Sequence, residues 1–339
     1  MKKKILVVFL LCIAFTTGCF GKKNDALKEI KNKYSNLKSY SLTGNLEIIN
    51  NDDTYNYDVK VIFQKKDKYY VSLRNVTNNH EQIILRNDDG IYVLTPSLNK
   101  SFKFQSDWPY NNSQVYLIKS IIDDIDKDDK RSLVSDDKGY VFTTNVNYPN
   151  NRNLVRQIVI FDNDYNLKSV DVVNENDITQ MKMTFKTIDL KPDISNDTFD
   201  LNKIMDINIT ENNNQEKPGN QTETTSTLDN IIYPLYIPSG TVLTSSEKVN
   251  KGDGERVIMT FEGEKSFLLV EETASIEDEF SIVPTYGEPY LLIDTVGALT
   301  DSSISWSSNG IDYYLVSDVM SRQELLDVAR SVNVIPVMK

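Results

Sequence analysis

Cysteine is nearly missing from this 339-residue chain, which has two, Cys12 and Cys19, and it has a single histidine, His80. Both cysteines lie at the amino-terminal end, so disulfide bonds, thiol chemistry and cysteine-ligated zinc are excluded from the body of the protein. His80 sits in Asn78-Asn79-His80-Glu81, a polar stretch that reads as a solvated turn between strands and supplies no Ser/His/Asp relay. Long apolar runs are missing too: Ile5 to Phe15 falls well short of the roughly 20 residues that cross a bilayer as a helix. No phosphate-binding glycine loop, HExxH or GxSxG pattern occurs, which removes common signatures of enzymes. A hydrolase built on two close carboxyls stays open as an alternative, because the chain carries 49 acidic residues. Basic charge is in deficit, 37 Lys and Arg against those 49 acids. Such a surface avoids nucleic acid and bare anionic headgroups.

What is present begins at the amino terminus. Lys2, Lys3 and Lys4 precede the apolar run, and Thr16-Thr17-Gly18-Cys19 closes it with small residues before a cysteine. This is the pattern of a secretory signal, and the cysteine directly after Gly18 resembles the lipobox of bacterial lipoprotein precursors, with Thr16 where that family usually has Leu. The expectation is a signal peptide over 1–18, cleavage before Cys19, acylation (palmitate among the chains) of Cys19, and a tether over 19–24. Several acyl chains, each buried methylene adding about 0.8 kcal/mol, make a stable anchor. The protein is then held on the extracytoplasmic face of a bacterial membrane, with 34 basic and 49 acidic side chains left and a net charge of −15.

Residues 207–228, INITENNNQEKPGNQTETTSTL, contain almost nothing that could join a core. The composition predicts a disordered linker between a first domain over 25–206 and a smaller α+β domain over 229–339. The first opens on an amphipathic helix, with Leu27, Ile30, Tyr34 and Leu37 at helical spacing. The period then changes to two: Leu42, Leu46 and Ile48, then Tyr55 to Phe63, then strands at Tyr69–Arg74, Gln82–Arg86 and Ile91–Leu94, the last two joined at Asn87-Asp88-Asp89-Gly90. A helix is expected over Ser113–Ile125, followed by strands at Tyr140–Thr144, Val155–Phe161, Leu167–Val173 and Met181–Ile188. In the second domain strands are expected at Arg256–Glu262, Phe267–Glu272, Ser303–Ser307 and Ile311–Ser317, the last two joined at Asn309-Gly310. Ser321 and Glu324 form a capping box that starts a helix at Arg322, with Met320 stapled to Leu325. The fold class is α+β, a curved antiparallel sheet covered by helices.

Three stretches carry a family resemblance: IYVLTPSLNKSFKF at 91–104, DWPYNNSQVYLIKSIIDDI at 107–125 and MTFKTIDLKPDISNDTFDL at 183–201. In this order they resemble the LolA-like proteins, especially the YdcC-type lipoproteins that include the clostridial germination lipoprotein GerS. The likeness covers roughly residues 25–203, and the two-domain layout is similar to RseB. The resemblance implies a half-barrel sheet enclosing an apolar cavity, no cofactor, and a role in envelope, sporulation or germination regulation. On that reading the inward face is Leu42, Leu46, Ile48, Tyr57, Val59, Val61, Phe63, Tyr69 and Val71, with Trp108 in a loop as plug or anchor. True LolA is soluble and unlipidated, so a tethered copy with an extra domain departs from a shuttle.

Asp124-Ile125-Asp126-Lys127-Asp128 has the alternating carboxylates that open a calcium loop, but Asp129 stands where glycine is needed and Ser135 where the bidentate Glu belongs. It reads as a solvated acidic helix end, and no metal is expected. The eighteen tyrosines fall mostly in period-two strands, which favours sheet packing over a sugar groove. The leading expectation is a non-enzymatic lipoprotein that binds an acyl chain, lipid or lipoprotein segment in its first domain and a membrane-protein partner through its second. A protein-binding adaptor with a filled cavity and a lipid or lipoprotein carrier are the alternatives.

Overall fold

Helix α1 (Cys19–Tyr34) turns Ala26, Ile30 and Tyr34 into the protein, and the chain then enters a run of strands. These are β1 (Ser39–Asn50), β2 (Asp53–Gln64), β3 (Lys68–Asn75), β4 (Glu81–Asn87), β5 (Gly90–Thr95) and β6 (Lys100–Phe104). Helix α2 (Ile118–Lys127) interrupts before β7 (Ser132–Asp136), β8 (Gly139–Asn145), β9 (Arg156–Phe161), β10 (Leu167–Val173) and β11 (Thr179–Asp189). Helix α3 (Leu201–Asn214) follows. The second set is β12 (Thr241–Lys251), β13 (Gly254–Gly263), β14 (Phe267–Thr273), β15 (Ser281–Thr285), β16 (Glu288–Leu291), β17 (Val296–Leu299), β18 (Ser303–Ser308), β19 (Ile311–Val316) and helix α4 (Arg322–Val332). This computed structural model describes residues 19–332 apart from 51–52, 111, 150, 152, 215–227, 229–230, 252–253, 278 and 294. The expected signal peptide over 1–18 and most of the expected linker lie outside the described residues.

The first sheet is a double meander in the order β6-β5-β4-β3-β2-β1-β11-β10-β9-β8-β7, so that β1 lies against both β2 and β11. Alternation sorts its faces. Leu42 lies opposite Val61, Leu46 opposite Tyr57, Phe63 opposite Tyr69 and Val61 opposite Val71, all on the face that receives α1 and α2. The backbones of β1 and β11 approach closely at a bulge beside Gly44, where a Cβ would stand 2.4 Å from the Thr184 carbonyl oxygen, so glycine is required there. On the opposite face Ile83, Leu85, Tyr92 and Leu94 form a smaller cluster with Phe199, Ile204 and Met205. The second sheet runs β12-β13-β14-β19-β18-β17-β16 and packs its inner face on α4, with Val257, Phe261, Leu269 and Trp306 against Leu325, Leu326 and Ala329.

Every strand expected from the sequence is present. The differences have physical causes. Helix α2 begins at Ile118 and not at Ser113: the residues before it form a tight turn, Leu117 N–H donating to the Gln114 carbonyl (3.1 Å), while Ser113 N–H donates to the Asn147 carbonyl (2.8 Å) and Gln114 N–H to Ser120 Oγ (2.8 Å). The first helix takes in 19–24, a stretch expected as tether. Helix α3 takes in Ile207 to Asn214, expected as linker: Asp200 Oδ1 caps its first turn through Lys203 N–H (3.0 Å), and Ile204 and Met205 bury against the convex cluster. Strands β6, β7, β12, β15, β16 and β17 were not expected. β12 is exposed on both faces and so has no period-two signal, whereas β17 is buried on both.

Candidate functional site: a cavity between the two sheets

The chain after β14 leaves the second sheet, crosses to the first and returns at β16. On the way β15 pairs in parallel with β6, adding a twelfth strand to the first sheet. The turn between β16 and β17 then reaches the concave face of the first sheet. There Tyr57 Oη donates to the Ile293 carbonyl, and Gln82 Oε1 accepts from Thr295 Oγ1 (3.1 Å) and from Val296 N–H. Val296 and Ala298 complete the core beneath the concave face. The second unit therefore plugs much of the concavity.

What remains is a cavity of about 580 Å³. The first sheet contributes Ile48, Ile84 and Met181, the loops Trp108, Tyr116, Tyr148 and Leu154, and the second unit Leu235, Tyr236, Tyr290, Leu291, Leu292, Asp327 and Arg330. Trp108 is buried, its ring edge-on to Tyr69 at 5.8 Å, and its carbonyl accepts from the Arg86 guanidinium. Burial pushes Tyr116 and Tyr148 above the ordinary phenol range, so both hydroxyls are neutral. At the α4 side Arg330 donates to Tyr290 Oη (2.8 Å) and lies 3.7 Å from Asp327, whose carboxyl is raised by burial against the opposing pull of Gln323 and Arg330. Among the described lining residues Arg330 is the one cation and Asp327 the one carboxylate.

Of the ten expected inward residues, Ile48 and Trp108 line this cavity. Leu42, Leu46, Tyr57, Val59, Val61, Phe63, Tyr69 and Val71 share the same face but are packed under α1, α2 and the second unit as core. Sequence reasoning missed Met181, Leu154, Tyr290 and Arg330, which come from elements far apart in the chain and share no period. IIYPLYI at 231–237 offered the one local signal, an apolar segment directly after the polar stretch.

Two other motifs resolve plainly. His80, expected as a solvated turn residue, is half-buried: its Nε2 is covered and without a partner, and burial lowers its pKa against the pull of Glu81. In the acidic stretch Asp128 accepts from Asn145 N–H (2.7 Å) and Thr144 Oγ1 (2.9 Å), Asp126 pairs with Lys31 (2.7 Å), and burial pushes Asp124 up to about 6. These carboxylates hold backbone and neighbours, and among the described residues no cluster could hold a metal ion.

A long open, largely antiparallel sheet with helices on its concave face defines a sheet-rich α+β protein. No protein-family model matches the sequence. Compared with curated proteins, the chain is 36% identical over 331 residues to the sporulation protein YdcC of Bacillus subtilis, covering 97% of this chain and 96% of the relative, and it belongs to the YdcC family. Among solved structures it is similar to the MucA/MucB complex of Pseudomonas aeruginosa (TM-score 0.32, 12% identity, 91% of this chain and 98% of that one). It is also similar to the complex of the CwlD amidase with the GerS lipoprotein from Clostridioides difficile (TM-score 0.28, 15% identity, 51% and 95%).

Proposed function

We propose that this protein is a non-enzymatic envelope lipoprotein, tethered through Cys19 outside the cytoplasmic membrane, whose cavity binds an apolar or amphipathic ligand and reports its presence to a partner protein. The observation that carries the reading is the cavity itself, because its wall comes from both sheets. A ligand touching both units changes the free energy of their docking, and that differential contact is what a signal requires. Aliphatic and aromatic side chains supply the wall, at about 25 cal/mol for each Å² removed from water, and Arg330 supplies one polar end. A two-carboxyl hydrolase needs a pair, and the described lining offers Asp327 alone. Kinship with YdcC supports a role in sporulation.

Native mass spectrometry of residues 20–339, made in bacteria and purified without detergent, tests this. A copurified acyl species or uptake of a fluorescent fatty acid is expected, falling at least ten-fold in Leu154→Trp or Met181→Trp, which fill the cavity. Leu46→Trp is unsuitable because it overpacks the core. A bare protein that takes up no probe supports the other reading, a protein-binding adaptor whose cavity is only a seam. Replacing Cys19 with Ala is expected to move the protein from membranes to the soluble fraction; retention on membranes in high salt would rule out Cys19 as the anchor.

A further inference from the structure

The arm that delivers β15 is held as a short recognition motif would be. Glu277 lies 3.7 Å from Lys100 Nζ, which also donates to Ser275 Oγ (3.0 Å). Asn99 Nδ2 donates to the Glu277 carbonyl (2.8 Å), and Glu277 N–H donates to the Leu98 carbonyl (3.2 Å). Three residues on, Phe280 packs against the convex cluster of Ile83, Leu85, Tyr92 and Leu94. Ser281 to Thr285 then pair with Lys100 to Phe104, starting from Ser281 N–H to the Asn99 carbonyl (3.0 Å).

As an occupant β15 fits poorly. It is five residues long and contains Pro284, and its apolar side chains stay in water, Ile282 being 49% and Val283 36% exposed. It pairs in parallel, the weaker arrangement. Two hydroxyls at the seam, Ser101 Oγ and Ser281 Oγ, are buried with no hydrogen-bond partner, a cost that a matched occupant would remove. Ser101 lies opposite Ile282, so the strand offers it a hydrocarbon where it needs a hydrogen-bonding group.

We propose that the β6 edge, with Lys100 at one end and the Phe280 pocket beside it, is a docking site for an extended segment of a partner protein, which the arm keeps filled until it is displaced. The partner segment has an acidic residue, an aromatic residue three positions on, and then a β-branched strand with Thr or Ser where this chain has Ile282. Recognition is by strand addition, with main-chain bonds giving affinity and the flanking pockets order.

Two experiments on residues 20–339 decide it. In the native protein, segment 281–285 is expected to exchange its amides at least 100-fold faster than segment 91–95 of β5, because an arm that can be displaced opens locally; equal protection would overturn the proposal. In a variant with Phe280→Asp and Val283→Pro, a labelled peptide with the sequence of 275–287 is expected to bind at least ten-fold more tightly than to the native protein. Adding Lys100→Glu reverses the gain, and a peptide with Thr in place of Ile282 binds more tightly still. Equal binding of a scrambled peptide to the folded variant, or a dimer formed by exchange of arms, would also overturn it. Should the variant fail to fold, the exchange measurement decides alone.

Discussion

Glu271 shows how one buried charge shapes the behaviour of the second unit. It lies on the inner face of β14 beside Leu269, fully buried, and both carboxyl oxygens accept the Ile232 N–H at 3.1 Å. Burial pushes its pKa from 4.5 up to about 7, with the Ile232 hydrogen bond pulling the other way. The folded state therefore binds this proton more tightly than the unfolded chain. The stability it contributes is complete below about pH 4.5 and is lost as pH rises through about 7. Glu271→Gln keeps an acceptor and removes the charge. Urea unfolding is expected to show the variant gaining on the wild type between pH 4.5 and 8, by up to about 3 kcal/mol, and a gap that does not change with pH would show that the carboxyl ionises without cost. This position was legible: period two in Phe267–Glu272 places Phe267, Leu269 and Glu271 on one side. Its partner, from a segment some forty residues earlier, was not.

At the scale of the element, local rules held wherever the bonding groups were close in sequence. Helix α4 starts as its capping box requires, with Ser321 N–H donating to Glu324 Oε2 (2.8 Å) and Glu324 N–H to Ser321 Oγ (3.3 Å), while Met320 and Leu325 share the core. Ser321→Ala is expected to cost about 1 kcal/mol, read as a lower urea midpoint with an unchanged slope; a loss under about 0.3 kcal/mol would mean that Lys265, which also pairs with Glu324 at 2.9 Å, holds the turn by itself. Asn309 and Gly310 both take positive φ, 51° and 78°, as a two-residue hairpin needs. Helix α2 broke the local rule. Its apolar spacing extends back to Val115, but the residues before Ile118 form a turn tied by Ser113 N–H to the Asn147 carbonyl, and spacing carries no record of a partner that distant.

At the scale of the molecule, the decisive feature is that the second unit enters the concave face of the first. Gln82, 3% exposed, stands in for a strand neighbour to Thr295 and Val296. Gln82→Ala leaves the Val296 N–H buried without its acceptor, a cost of roughly 1–3 kcal/mol. Trp108 reports on the first unit and Trp306 on the second, so single-tryptophan versions can follow each. The two signals are expected to unfold together in the wild type and at separate urea concentrations in the Gln82 variant; coincident transitions in both would mean that β15 and Tyr57 suffice for docking. The sequence by itself determined the α+β class, strands β1–β5 and β8–β11 of the first sheet, the shared face of Leu42, Leu46, Tyr57, Val61 and Val71, and the helix at Arg322, because each depends on periodicity or on groups within a few residues of one another. Only the tertiary structure decided that this face is mostly filled, that Met181, Leu154, Tyr290 and Arg330 join Ile48 and Trp108 around the cavity, and that β15 belongs to the first sheet, because those outcomes depend on contacts between residues up to more than two hundred positions apart, which no local pattern encodes.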